Sequence, residues 1–395
     1  MKYKELLERY KNGLTSEEEK LSVEQDIEKY EAIEEYLSDI IDDEFVDLNE
    51  LPNIEKNIDE TIKLKKSVNK RLRKVVIASV TTVIALLFVV FFVISPFVDG
   101  LYYNPARVSV SKDKDIDFDM NVITELNMPG YTAASDVFVE RQGFGTYEIS
   151  YSYRNFFTDE HNRVNSIIKR SEIYSTHKDN YKDNSMMFWD VQRSNREQKF
   201  IDRHKERVIN HIKQLNPVSY VSTGLTFEKD LNMEELFNLE SKYPDIEFIW
   251  AGIRTNSSDN ETMDLIGIQL LSSNGVNLDD GVEEKYRAFS ILKWLDNPVG
   301  SGNSSLPLVA QAYELHYKSL LQYVIDREEA VNVIERRPWK YGFYQSAKKY
   351  AEDHGVKTYG VLVYAEAKDL IELVENEQIK LVEFNQALVS KRNIQ

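Results

Sequence analysis

Val75 to Val98 forms a run of 24 residues without a charge. A bilayer hydrocarbon core is about 30 Å thick and takes roughly 20 apolar residues as a helix. The run therefore predicts a single transmembrane helix, and it begins too far into the chain for a cleaved signal peptide. Seven basic residues, Lys63, Lys65, Lys66, Lys70, Arg71, Arg73 and Lys74, precede it, whereas Asp99 and then uncharged residues follow as far as Arg107. Basic flanks stay on the cytoplasmic side. This asymmetry predicts a cell-membrane protein with residues 1–74 inside and residues 99–395 outside.

Charge divides the N-terminal segment further. The first 60 residues hold 7 Lys/Arg and 20 Asp/Glu, a net of −13. An acidic surface of this kind suits a basic protein partner and repels nucleic acid, so no direct nucleic-acid contact is expected. The chain has no cysteine, which excludes disulfides and thiolate metal sites. No cofactor is expected.

Within this segment, Tyr3, Leu6, Leu7 and Tyr10 fall at helical spacing, and Gly13 is placed to end the helix. Thr15 with Glu18, or Ser16 with Glu19, makes a capping box for a second helix. Val23, Ile27, Tyr30, Ile33, Leu37 and Ile40 then share one face in steps of three and four. A two-helix hairpin of this size buries little surface by itself. It reads either as a loose juxtamembrane pair or as a docking element completed by a partner, with an apolar stripe and an acidic rim. The acidic run from Asp42 to Asp47 and Glu50, with Pro52, reads as a solvated spacer.

The stretch Gly13–Glu24 resembles the N-terminal helices of zinc-binding anti-sigma factors. The positions of that family's His and two Cys ligands carry Asp26, Tyr30 and Ile33 here, so the resemblance keeps the helical frame without the metal. The order of parts is most similar to membrane-bound sigma-factor regulators with N- and C-terminal regulator regions. Matching stretches are Tyr10–Gly13, Glu28–Ala32, Tyr102–Pro105 after the span, and Gly143–Tyr147. The resemblance implies that the cytoplasmic helices bind a sigma factor of the extracytoplasmic-function class and release it on an envelope signal. The candidate contact residues are Leu6, Leu7, Tyr10, Val23, Glu24, Ile27, Tyr30, Ile33 and Leu37. A small membrane co-regulator is a further partner compatible with a single span, beside the lipid bilayer itself.

Beyond the span, residues 106–177 alternate apolar and polar residues and read mainly as strands, including Val108, Val110, Ile116 and Phe118. The alternating Asp113, Asp115, Asp117 and Asp119 lack the Gly and Glu of a calcium loop and read as a solvated strand edge. Residues 190–214 read as a surface helix. Two β-α-β passes follow, one through 220–253 and one through 359–384, with helices over 308–333 and 341–352 between them and loops at 274–280 and 300–305. This pattern predicts an α+β region with ferredoxin-like units. The expected division is a helical binding segment over 1–50, a linker over 51–74, the span over 75–98, a β-rich region over 99–190 and an α+β sensor over 191–395. None of the six histidines falls at a metal-binding spacing, and no nucleophile elbow is present. The chain is not expected to be an enzyme. An anchored cell-wall enzyme and an envelope scaffold are the alternative readings.

Overall fold

The computed structural model describes residues 3–45, 57–109, 113–133, 136–175, 198–257, 264–270, 285–291, 295 and 306–391. Of the acidic run expected as a spacer, Asp42, Asp43 and Glu44 are helical, being the end of the helix Glu17–Phe45, whereas Asp47, Glu50 and Pro52, with the loops at 274–280 and 300–305, lie outside the described residues. The chain forms two compact units, Met1–Leu86 and Leu87–Gln395.

In the first unit, α1 (Tyr3–Lys11) and α2 (Glu17–Phe45) form the expected hairpin. Gly13 adopts φ +68°, Leu14 N–H reaches back to Arg9 O at 2.9 Å, and Gly13 N–H donates to Tyr10 O at 3.1 Å. That pair of bonds satisfies carbonyls that a helix end otherwise leaves unpaired. Of the two capping boxes, the chain uses Ser16 with Glu19. Glu19 N–H donates to Ser16 Oγ at 3.2 Å, and Ser16 N–H donates to Glu19 Oε2 at 3.0 Å. The Ser16 amide holds the Glu19 carboxyl below its ordinary pKa.

α3 (Asn57–Val89) continues through a π-helical turn, Val90–Ile94, into a last short helix, α4 (Ser95–Asp99). The stretch Lys65–Asp99 is long and apolar enough to cross a membrane. The π turn lies just before Pro96, which has no N–H to give the ladder.

The second unit is built on two antiparallel sheets. α5 (Asp115–Asn127) precedes the first, which holds β1 (Tyr131–Ala133), β2 (Phe138–Gly143), β3 (Thr146–Asn155), β4 (His161–Lys169) and β5 (Glu172–Ser175). β3 is its centre, pairing β4 along one edge and both β1 and β2 along the other. α6 (Gln198–Lys213) is the expected surface helix.

The second sheet follows. β6 (Tyr220–Asn232), α7 (Met233–Lys242) and β7 (Glu247–Ile253) make one β-α-β pass. After β8 (Gly267–Gln269) come α8 (Leu306–Asp326), α9 (Glu328–Ile334) and α10 (Lys340–His354). β9 (Lys357–Glu366), α11 (Ala367–Asn376) and β10 (Ile379–Leu388) make the second pass. The strand order is β10-β6-β9-β7-β8, every pair antiparallel, so the strands of the two passes interleave. α7 starts on a capping box in which Glu235 N–H donates to Asn232 Oδ1 at 2.8 Å and Asn232 N–H donates to Glu235 Oε2 at 2.8 Å.

Residues 115–127 depart from the strand expectation. Ile116 and Phe118 lie in a helix, and Asp115, Asp117 and Asp119 are buried rather than solvated. The helix serves two cores. Phe118, Val122, Ile123 and Leu126 pack with the residues of the second sheet, while Ile116 and Met120 pack with Tyr131, Tyr147 and Ile149 of the first. A helix used on both faces carries no clean amphipathic stripe, and the local alternation then mimics a strand. The helix expected over 308–333 is also broken, at Arg327, into α8 and α9.

Candidate partner-binding surface

α1 is much shorter than α2, so it covers only the start of its partner. Val23 is fully buried in the hairpin, and Leu6 and Tyr10 are half-buried. Arg9 pairs with Glu19 at 3.3 Å, and Tyr10 Oη donates to Glu24 at 3.3 Å. Leu7 is 38% exposed, and past the end of α1 the stripe opens to solvent. Ile27 is 40% exposed, Ile33 57% and Tyr30 70%. Exposed Glu28, Glu31, Glu34 and Glu35 stand around them. Of the nine candidate residues, Val23 is therefore spent on the hairpin itself, Leu6, Tyr10 and Glu24 sit along the α1–α2 contact, and Ile27, Tyr30 and Ile33 form an open apolar strip. The side chain of Leu37 lies outside the described residues. A row of large apolar side chains within an acidic surround can seat another helix or a basic protein face.

The second unit carries polar groups that local sequence patterns do not announce. Arg327, at the break between α8 and α9, donates to Asp119 at 2.7 and 2.9 Å and to Asp115 at 3.0 Å. Tyr323 Oη donates to Asp119 at 3.0 Å, and Tyr103 Oη donates to the same carboxylate at 3.2 Å. Asp117 accepts from Val137 N–H at 2.7 Å. Buried charges are tolerated when paired and bonded in this way. The signal available in sequence is the i, i+4 spacing of Asp115 and Asp119, which puts both carboxylates on one helix face.

His316 is buried on α8 with an acceptor on each side of the ring, Glu125 Oε1 at 2.9 Å from Nε2 and Ala288 O at 2.9 Å from Nδ1. Burial disfavours its charged form, but Glu125 and the Ala288 and Phe289 backbone groups raise its pKa above that of an ordinary histidine. His204 and His211 both lie on α6, where His204 meets Arg207 at 3.0 Å and the His211 ring packs edge-on to Phe384. Among the described residues, no group of three or more His, Asp and Glu is placed to hold a metal. An open cleft of about 760 Å³ lies beside the end of α4, with Tyr102, Asn104, Arg107, Asp326, Glu328 and Glu329 in its walls.

These parts define a chain in which one apolar, membrane-length helix joins an acidic helical hairpin to an α+β region of two antiparallel sheets. Residues 212–386, from the end of α6 through β10, match the family described as sigma factor regulator C-terminal. That stretch is similar to the C-terminal region of sigma factor regulators. No curated protein and no solved structure matches the chain.

Proposed function

We propose that this protein is a membrane-anchored anti-sigma factor. Its N-terminal hairpin holds a sigma factor of the extracytoplasmic-function class at the cytoplasmic face, and its C-terminal region senses envelope state outside. The observation that carries this reading is the open strip Ile27, Tyr30 and Ile33 in an acidic surround, on a chain with a sigma factor regulator domain. Sigma factors present basic faces to promoter DNA, and a surface of net −13 complements them. Complementary charge speeds association and rejects wrong partners, while the buried apolar anchors supply affinity. The seven basic residues before the span support the inside placement of the hairpin.

The interleaved β-α-β passes support a ferredoxin-like reading of the sensor sheet, with β8 added at one edge. The same reading assigns the helical segment to 1–50, the linker to 51–74, the span to 75–98 and the extracellular regions to 99–190 and 191–395. It treats the chain as a regulator rather than an enzyme, with the bilayer and a small membrane co-regulator as further partners.

The test is co-purification on the tagged full-length chain. A sigma factor recovered in stoichiometric amount, and lost when Ile27→Glu is combined with Tyr30→Glu, is the expected result. Recovery of wall-synthesis or secretion proteins with no sigma factor would overturn the assignment and favour a scaffold.

A further inference from the structure

The turn between β2 and β3 is built unlike any other among the described residues. Gly143, Phe144 and Gly145 all have positive φ, at 82°, 54° and 71°. Glycine adopts this region freely, but a residue with a Cβ such as Phe144 is strained there. The two glycines also permit a close approach. A Cβ on Gly143 would come within 2.8 Å of Ser95 Oγ, and one on Gly145 within 2.9 Å of the Tyr102 ring. The turn therefore lies directly against α4 and the residues that follow it.

Its backbone groups are satisfied from that side. Phe144 N–H donates to Ser95 Oγ at 3.1 Å, and Gly145 N–H donates to Asp99 Oδ1 at 2.6 Å. Gly145 O accepts from Arg170 N–H at 2.8 Å, which joins the β4–β5 turn to the same place. Tyr103 N–H donates to Ser171 Oγ at 3.0 Å. Irregular backbone at membrane depth is tolerated only when its polar groups are paired within the protein, as the Phe144 and Gly145 N–H groups and the Gly145 carbonyl are here.

The Phe144 ring meets Phe91 edge-to-face with centroids 6.3 Å apart. Phe91 precedes Val98, the last residue of the uncharged run, by seven positions. At about 1.5 Å of rise per residue that sets it about 10 Å below the end of the run. A ring that meets Phe91, on a turn whose amide reaches Ser95, lies on the inner side of the end of the run. Exposed Arg141, Lys169 and Arg170 flank the turn, with exposed Glu172 beside them and Glu140 and Glu148 one strand position further away. Basic residues bordering an apolar tip match the headgroup level of a membrane.

We propose that the Gly143–Phe144–Gly145 turn enters the bilayer leaflet beside the span, with the Phe144 ring among the acyl chains and its backbone held by Ser95 and Asp99. The occupant of this surface is lipid, and the contact continues the one the span already makes. This inference rests on the span crossing a bilayer and not on the identity of the cytoplasmic partner.

The absence of native cysteine makes the test direct. Full-length chains carrying Phe144→Cys, Val83→Cys or Glu160→Cys are labelled with the fluorophore NBD and placed in vesicles of phosphatidylcholine and phosphatidylglycerol. Quenching by a nitroxide on the lipid acyl chain should be severalfold stronger at 144 than at 160, with iodide quenching in the reverse order. Label 83 reports the span. Water exposure at 144 with lipid contact at 83 overturns the insertion alone, whereas water exposure at 83 overturns the span as well. Gln142→Cys leaves Phe144 in place and guards against misfolding of the first variant. Its label should show blue-shifted emission relative to 160, and emission like that at 160 would also overturn the proposal.

Discussion

The two units solve opposite problems. The hairpin of α1 and α2 is held by local devices, a glycine stop at Gly13, a capping box at Ser16 and, alone among its described side chains, the buried anchor Val23. It leaves Ile27, Tyr30 and Ile33 in water. The second unit instead buries even its charges, and Arg327 is joined to Asp119 across 208 residues of sequence. A surface kept apolar and uncovered is available for a partner. A core that pairs its buried charges across the chain depends on its own residues to hold them. On the proposed reading, binding falls to the unit with the least internal burial and structural integrity to the other.

Four variants break or sharpen that contrast. Arg327→Ala strands Asp115 and Asp119 without a counter-charge, and losing one partner of a buried pair costs about 3–5 kcal/mol. Thermal unfolding of the full chain should show a large fall in the stability of the second unit, while the helical signal of the hairpin persists.

A pH titration comes next in size. The raised pKa of His316 means that its stabilising charge is fully present below the ordinary histidine value and is lost as pH rises through the shifted one. The wild-type second unit should therefore weaken toward alkaline pH. His316→Gln should flatten that slope, and an unchanged profile would show that the pair with Glu125 does not set it.

Ser16→Ala removes a helix cap and should cost about 1 kcal/mol, read as lost helicity confined to the hairpin. Ile27→Glu with Tyr30→Glu should shift stability least, within about 0.5 kcal/mol, because both side chains are already exposed. A large loss of helicity in that double variant would mean that the strip packs internally, which would remove it as a docking surface.

Features governed by neighbours in sequence are legible from the residues themselves. The apolar run, the glycine stop at Gly13, a capping box at Thr15 or Ser16 and the elements of the two β-α-β passes all follow from short-range spacing. The buried helix 115–127 does not. Its alternating aspartates look like a wet strand edge because the group that neutralises two of them, Arg327, lies in another part of the chain. His316 is equally silent, since a lone histidine in a helical pattern says nothing of Glu125 opposite it. The strip on α2 can be read as a periodic face, but whether α1 covers it depends on helix lengths. Periodicity does not fix those lengths to within a turn.

The π turn at Val90–Ile94 has a consequence for how homologous chains can vary in length. A π turn holds one residue more than the α ladder would, so it is a natural site for a single-residue deletion. Removing one residue there restores regular i to i−4 bonding and leaves the facing of the turns on either side nearly unchanged, because the wider π turn sweeps about the same angle with one residue more. A deletion in the regular ladder between Val75 and Val89 leaves the π turn in place and turns the helix on one side of the cut by about 100° relative to the other. Chains related to this one should therefore tolerate length changes at the two places differently, one as a small change of reach and the other as a change of facing.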